Sequence, residues 1–287
     1  MKVVRLSHEI FSQLKFARES GKRVGLIPTM GALHEGHLSL VRRAKEICDL
    51  VAVTIFVNPT QFAPNEDLAK YPRTLDADLE KLLSVGTDFV FTPESSTIYP
   101  PGFSTYVEAP AVAAPLEGAF RPGHFRGVAT IVLKLFNLVP ADIAFFGSKD
   151  YQQLAVIRTM VHDLDVPIRI EGCPTIRESD GLAMSSRNRY LNGEERSRAL
   201  GLWQALRRVQ QQIETGERSV LTLEATMREV LLDAKVTSID YARIVHNETL
   251  QDLERVDSSA IALIAARVGA TRLIDNLKLE VPMAMNE

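Results

Sequence analysis

Five short apolar runs in the first 175 residues constrain the fold more than any other feature: residues 23–27, 51–57, 88–92, 142–146 and 168–172. Each has the length of a buried strand, and amphipathic stretches separate them. Strand alternating with helix builds a parallel sheet with helices on both faces, an α/β fold. Between the first two runs, Leu38, Val41, Ala44 or Lys45, and Cys48 recur at three- and four-residue spacing and mark a helix with one apolar stripe. Further helices are expected from about residue 127 to 138 and from about 151 to 164. Six prolines between Pro93 and Pro122 leave room for loops around one short extended piece, STYVEA at residues 104–109.

After Arg189 the character changes. Residues 191–216 and 221–235 read as amphipathic helices, and residues 239–246, 260–268 and 271–279 read as strands with no helix between them, the sign of a small antiparallel sheet. The boundary falls near residues 175–185, and 287 residues suffice for two cores. With 33 basic and 36 acidic residues, the net charge of −3 lacks the basic footprint of a nucleic-acid binder. The two cysteines, Cys48 and Cys173, fit neither a disulfide framework nor a zinc pattern, which points to a reducing compartment. Neither a secretory leader nor a run of 18 apolar residues is visible, so a cytoplasmic location without membrane contact is expected.

The first strand runs into PTMGALHEGH, residues 28–37, and then directly into the amphipathic helix. His34 and His37 share one face of that helix start. Gly31 and Gly36 permit close backbone approach, while the helix N-terminus offers unpaired N–H groups and a positive dipole end to an anion. This suits a phosphate held with the help of two imidazoles. The same residues suit a loop whose histidines satisfy local backbone groups. Zinc fits poorly, because no third ligand is evident and the spacing is not H-E-x-x-H.

The strand–HxGH–helix arrangement resembles the nucleotidyltransferase superfamily shared with class I aminoacyl-tRNA synthetases, whose members transfer an adenylyl group from ATP. That superfamily carries a second, Lys-Met-Ser-Lys-Ser-like loop, matched here by GLAMSSRN at residues 181–188. Ser185 and Ser186 can donate hydroxyl bonds, and Arg187 can hold phosphate bidentately. FVNPTQF at 56–62, RPGHFRGV at 121–128 and GSKDYQQ at 147–153 narrow the resemblance, along the whole chain, to the pantothenate synthetase family. The resemblance implies a Rossmann-like catalytic domain over residues 1–180 that binds ATP and pantoate, and a C-terminal α+β lid domain over 181–287. It also implies a homodimer that uses ATP and Mg²⁺ to join pantoate to β-alanine through a pantoyl adenylate, releasing AMP and pyrophosphate.

Carried over residue by residue, the resemblance makes His34, His37 and Lys149 catalytic. It assigns ATP binding to Met30, Gly31, Ala32, Leu33, His34, Glu35, Gly36, His37, Gly147, Ser148, Lys149, Asp150, Ile176, Met184, Ser185, Ser186 and Arg187. Asn58, Gln61 and Gln153 are assigned to the pantoate and β-alanine subsites, and no protein metal ligands are expected. Ser148 departs from the pattern, since many members are expected to carry Glu there. The chemistry suits these residue types: a substrate carboxylate is its own nucleophile, so the protein has only to align it and neutralise phosphate charge. Met30, Phe56 and Phe62 are candidate apolar walls, and the polar segment 62–71 is a candidate lid. Rival readings have distinct requirements. Another adenylyltransferase needs a second nucleotide pocket, a class I synthetase needs a basic tRNA surface, and a non-catalytic nucleotide binder would have lost some of His34, His37, Lys149 and Arg187.

Overall fold

The computed structural model describes residues 1–63 and 67–282. Two compact units emerge, the first made of Met1–Ser148 with Gln152–Thr175 and the second of Lys149–Tyr151 with Ile176–Glu287.

In the first unit the chain runs β1 (Lys2–Val4), α1 (Ser7–Glu19), β2 (Val24–Thr29), α2 (Glu35–Ile47), β3 (Leu50–Ile55), α3 (Leu75–Ser84) and β4 (Phe89–Phe91). It continues through α4 (Ser95–Ile98), α5 (Glu117–Phe120), α6 (His124–Leu138), β5 (Ile143–Gly147), α7 (Tyr151–Asp163, whose first residue belongs to the second unit) and β6 (Arg169–Cys173). All six strands are parallel, in the order β1-β4-β3-β2-β5-β6. The five expected strands are present with their ends moved by a residue or two. β2 is buried along nearly its whole length because neighbouring strands flank it and helices cover both faces. β2 pairs with β3 on one side and β5 on the other, so the strand order reverses between β2 and β5. Open sheets of this kind receive ligands beyond the carboxyl ends of the strands at such a reversal.

The apolar stripe of α2 is buried as expected at Leu38, Val41 and Ala44, joined by Leu40, and Cys48 is buried at the cap. The segment between Pro93 and Pro122 is more ordered than its proline content predicts. It holds α4, a 3₁₀ turn at Ala111–Ala113 and α5, all short enough to fit between prolines. Residues 104–109 join no sheet; the Val107 N–H donates instead to Thr130 Oγ1 on α6 at 2.9 Å.

In the second unit, α8 (Gly193–Glu214) and α9 (Val220–Asp233) precede β7 (Ser238–His246), β8 (Ala260–Val268) and β9 (Thr271–Lys278). The three strands form the expected antiparallel sheet with β8 central. Leu202, Leu206, Val209 and Ile213 of α8 pack in one core with Ile244, Ile264 and Leu273 of the sheet.

Candidate active site

The loop after β2 turns sharply through Gly31 (φ 81°) and Ala32 (φ 52°) before α2 begins. His34 is the N-cap of α2 and His37 its third residue. His34 Nδ1 accepts from the Gly36 N–H at 3.2 Å, and His37 Nδ1 accepts from the His34 N–H at 3.3 Å. In a neutral imidazole, an accepting Nδ1 puts the hydrogen on Nε2, so the two rings, 4.1 Å apart, each carry an Nε2–H donor. The first-turn amides are not left open as the sequence reading expects. Gly36 donates to the His34 ring, and His37 and Leu38 donate to the His34 carbonyl. Glu35 of this turn forms an ion pair with Arg42 further along α2.

A buried carboxylate shapes the loop. Asp78 on α3 is fully buried, and its two oxygens accept from the Ala32 and Leu33 N–H groups at 2.8 Å each and from Thr74 Oγ1 at 3.1 Å. Lys81, one turn on, donates to the Leu33 carbonyl at 2.7 Å. A cavity of about 390 Å³ opens beside this loop beyond the ends of β2, β3 and β4, with Met30, Ile55, Phe56 and Leu75 among its walls. Phe62 packs edge-on against Tyr71 rather than lining that cavity. The middle of the candidate lid, residues 64–66, lies outside the described residues.

After β3, Asn58 and Gln61 bracket the 3₁₀ turn Pro59–Gln61. Asn58 Nδ2 donates to Gln61 Oε1 at 3.0 Å and to the Gly127 carbonyl at 3.2 Å, while Asn58 Oδ1 accepts from Tyr99 Oη at 2.7 Å and Thr60 Oγ1 at 3.0 Å. Both ends of the Asn58 amide are therefore engaged within the protein, and one of its partners is the Gln61 side chain. Burial pushes the Tyr99 phenol up from its ordinary value, which keeps the donating hydrogen in place. Of the paired glutamines at the start of α7, Gln152 is buried and structural: its amide donates to the carbonyls of Val112 and Pro115 and accepts from the Glu117 N–H. Gln153 is half-buried in the same turn.

In the second unit, residues 176–184 form a narrow hairpin in which the Met184 N–H donates to the Ile176 carbonyl and Arg177 bridges Ala183. Arg177 forks onto Asp275 at 2.7 and 2.9 Å and stacks on Trp203 at 3.6 Å from the ring centre. Gly181, at φ 97°, is obligatory here, because a Cβ would lie 2.3 Å from the Trp203 ring. The hairpin delivers the chain into Ser185, whose Oγ accepts from the Arg187 N–H at 3.3 Å, leaving its own hydrogen to donate. Asn188 ties the loop back to Glu178 and Ala183. Lys149, with its ammonium 3.9 Å from Asp150, is held by Asn276, which donates to the Lys149 carbonyl at 2.8 Å. The backbone turn Ser148–Asp150 follows directly on Gly147 at the end of β5.

The structure thus gathers Met30 to His37, Asn58, Gln61 and Gln153 in the first unit, and Lys149, Asp150, Ile176, Met184, Ser185, Ser186 and Arg187 in the second. Asp78, Lys81, Tyr99, Arg177, Asp275 and Asn276 escaped the sequence reading. Among the described residues no group of three or more His, Cys, Asp or Glu side chains could cage a metal. Both cysteines are free and buried, and burial pushes the Cys173 thiol up to about 11.

A family profile described as pantoate-beta-alanine ligase matches residues 2–278. A pantothenate synthetase of Roseiflexus castenholzii is 56% identical over 257 residues, 90% of this chain and 92% of the relative. The crystal structure of pantothenate synthetase from Thermus thermophilus superposes with a TM-score of 0.93 at 43% identity, covering 98% of this chain and 100% of that one. A pantoate-beta-alanine ligase from Francisella tularensis, complexed with beta-gamma ATP and beta-alanine, gives a TM-score of 0.79 at 33% identity over 97% of each chain.

Proposed function

This chain belongs to the pantoate–β-alanine ligase family, and from that premise we propose how its residues divide the work. The enzyme condenses pantoate with β-alanine, using ATP, to give pantothenate, AMP and pyrophosphate. Pantoate's carboxylate attacks the α-phosphorus and pyrophosphate leaves. The free amine of β-alanine then attacks the acyl carbon of the pantoyl adenylate, and AMP leaves.

The family match over residues 2–278, with its HxGH pair capping α2 beyond the sheet, carries this reading. His34 and His37 are assigned as Nε2–H donors to charge developing on phosphate oxygens, with Lys149 and Arg187 adding positive charge. Ser185 and Ser186 donate hydroxyl bonds to the nucleotide. Because the amides of Ala32 and Leu33 already donate to Asp78, residues 30–33 are assigned to ATP by shape rather than by N–H donation. Glu35, Gly36, Gly147, Ser148, Asp150, Ile176 and Met184 complete the proposed nucleotide subsite. Gln61 and Gln153 are assigned to pantoate, with Met30 and Phe56 against its gem-dimethyl group.

Mg²⁺ is assigned to the phosphates of ATP and enters with that substrate, since the described residues offer no cage for it. A homodimer and a cytoplasmic location follow the family's pattern; among the described residues no helix is long and apolar enough to cross a membrane. The test is isotope exchange between pyrophosphate and ATP. It should require pantoate and proceed without β-alanine, and Lys149→Ala should suppress it together with the full reaction. Release of ADP and phosphate would overturn the adenylate route. Normal exchange in Lys149→Ala with collapsed pantothenate formation would move Lys149 to the second step.

A further inference from the structure

The RPGHFRGV string, residues 121–128, has no part in the chemistry above, yet its side chains meet the turn that carries Gln61. His124 opens α6 directly after Gly123, whose left-handed φ of 80° brings the chain round. His124 as a whole is 8% exposed. Its Nδ1 lies 2.8 Å from the Gln61 carbonyl oxygen and its Nε2 lies 3.1 Å from Arg121 Nη1. A carbonyl only accepts and a guanidinium only donates, so Nδ1 carries the hydrogen and Nε2 receives one. The two neighbours select the same tautomer.

One turn further along α6, Gly127 lets the helix touch the turn itself: a Cβ there would sit 2.4 Å from the Thr60 oxygen and 2.7 Å from the Gln61 nitrogen. Its carbonyl accepts from Asn58, whose second amide hydrogen goes to Gln61 Oε1. Gln61 is therefore gripped twice, at its main-chain oxygen by His124 and at its side-chain oxygen by Asn58. What remains to present is the Gln61 Nε2 amide, 3.2 Å from Met30 Sδ, a weak acceptor that a substrate oxygen can replace.

We propose that His124 is a positioning residue for the acid substrate: it fixes the Pro59–Gln61 turn so that Gln61 Nε2 points its hydrogens at an oxygen of a small hydroxy acid. The proposal rests on the assignment of Gln61 to pantoate. It makes the main-chain grip, and not merely the bulk of the imidazole, the property that matters.

The asparagine amide nitrogen can occupy the place of Nδ1, whereas that of glutamine reaches the place of Nε2. His124→Asn therefore keeps the donor to Gln61, and His124→Gln loses it. Steady-state KM values for pantoate and ATP should be measured for both variants, for Gln61→Ala and for Gln61→Ala/His124→Gln, since KM does not depend on how much of the sample is folded. His124→Gln should raise the pantoate KM about tenfold with the ATP KM within about twofold, the scale of one hydrogen bond. His124→Asn should stay within about threefold of wild type, and the double variant should match Gln61→Ala. Equal effects of Asn and Gln, or a parallel rise in both KM values, would overturn the proposal and leave His124 a packing residue. An unchanged pantoate KM in Gln61→Ala would instead overturn the assignment of Gln61 beneath it, whichever way the His124 variants behave.

Discussion

Two helices of this protein begin with the same reciprocal device made from different residues. At α8, Asn192 Oδ1 accepts from the Glu195 N–H at 2.9 Å and Glu195 Oε2 accepts from the Asn192 N–H at 3.0 Å. At α2, the imidazoles of His34 and His37 stand in the corresponding places, with longer bonds of 3.2 and 3.3 Å. Asn and Glu are what helix stability alone selects, and histidine is a poor substitute at both positions. The difference is one of chemistry at the same two positions: at α8 an amide and a carboxylate close the box, whereas at α2 two imidazoles close it through Nδ1, which puts the ring hydrogen of each on Nε2, the donor proposed above to act on phosphate.

The comparison breaks most readily at His34. His34→Asn replaces a weak cap by a strong one, so the melting temperature should hold or rise while kcat falls about 10²–10³-fold, the usual cost of losing a preorganised donor. Retained turnover would make the α2 box a cap and nothing more. A smaller effect is expected one layer back. Asp78→Asn turns one acceptor oxygen into a donor facing backbone N–H groups, which should cost about 1–3 kcal/mol in urea unfolding and lower turnover as well. Unaltered stability would show that the loop holds its shape without the carboxylate. Asn192→Ala should cost about 1 kcal/mol of stability and leave kcat untouched; a fall in kcat would erase the distinction between the two boxes.

Alkaline pH should expose the last and smallest difference, because both cysteines belong to the first unit. Burial raises the Cys173 thiol from 9 to about 11, so the folded state keeps a proton that the unfolded chain releases. The thiol's contribution is intact below pH 9 and is lost as pH climbs towards 11. Unfolding free energies of wild type and Cys173→Ala, measured from pH 8 to 11, should converge across that window; parallel curves would contradict the shift.

The parts of this molecule that the sequence discloses are those written in consecutive residues. β2, β3 and β5 announce themselves by continuous apolar runs and the long helix α8 by its amphipathic spacing, and the HxGH and GLAMSSRN strings are contiguous. β1 is a three-residue edge strand of which only Val4 is buried, so it lacks the apolar run that marks the equally short β4. α3 hides because one of its two buried positions is Asp78 and not an apolar residue. The contacts that hold the candidate residues within each unit are hidden for a related reason: Arg177 and Asp275 are 98 residues apart, and His124 and Gln61 are 63 apart. Only the fold makes neighbours of them.

Lys149–Tyr151 belong to the second unit although the residues on both sides belong to the first. No single cut can therefore release either unit whole: a fragment ending at residue 175 carries Lys149 away from Asn276 and Tyr151 away from Asn247, whose carbonyl accepts from its hydroxyl. During synthesis Lys149 leaves the ribosome 127 residues ahead of Asn276. The Lys149 carbonyl can therefore meet Asn276 only once β9 has been made, and a nascent chain lacking β9 holds the Ser148–Asp150 turn without that tie.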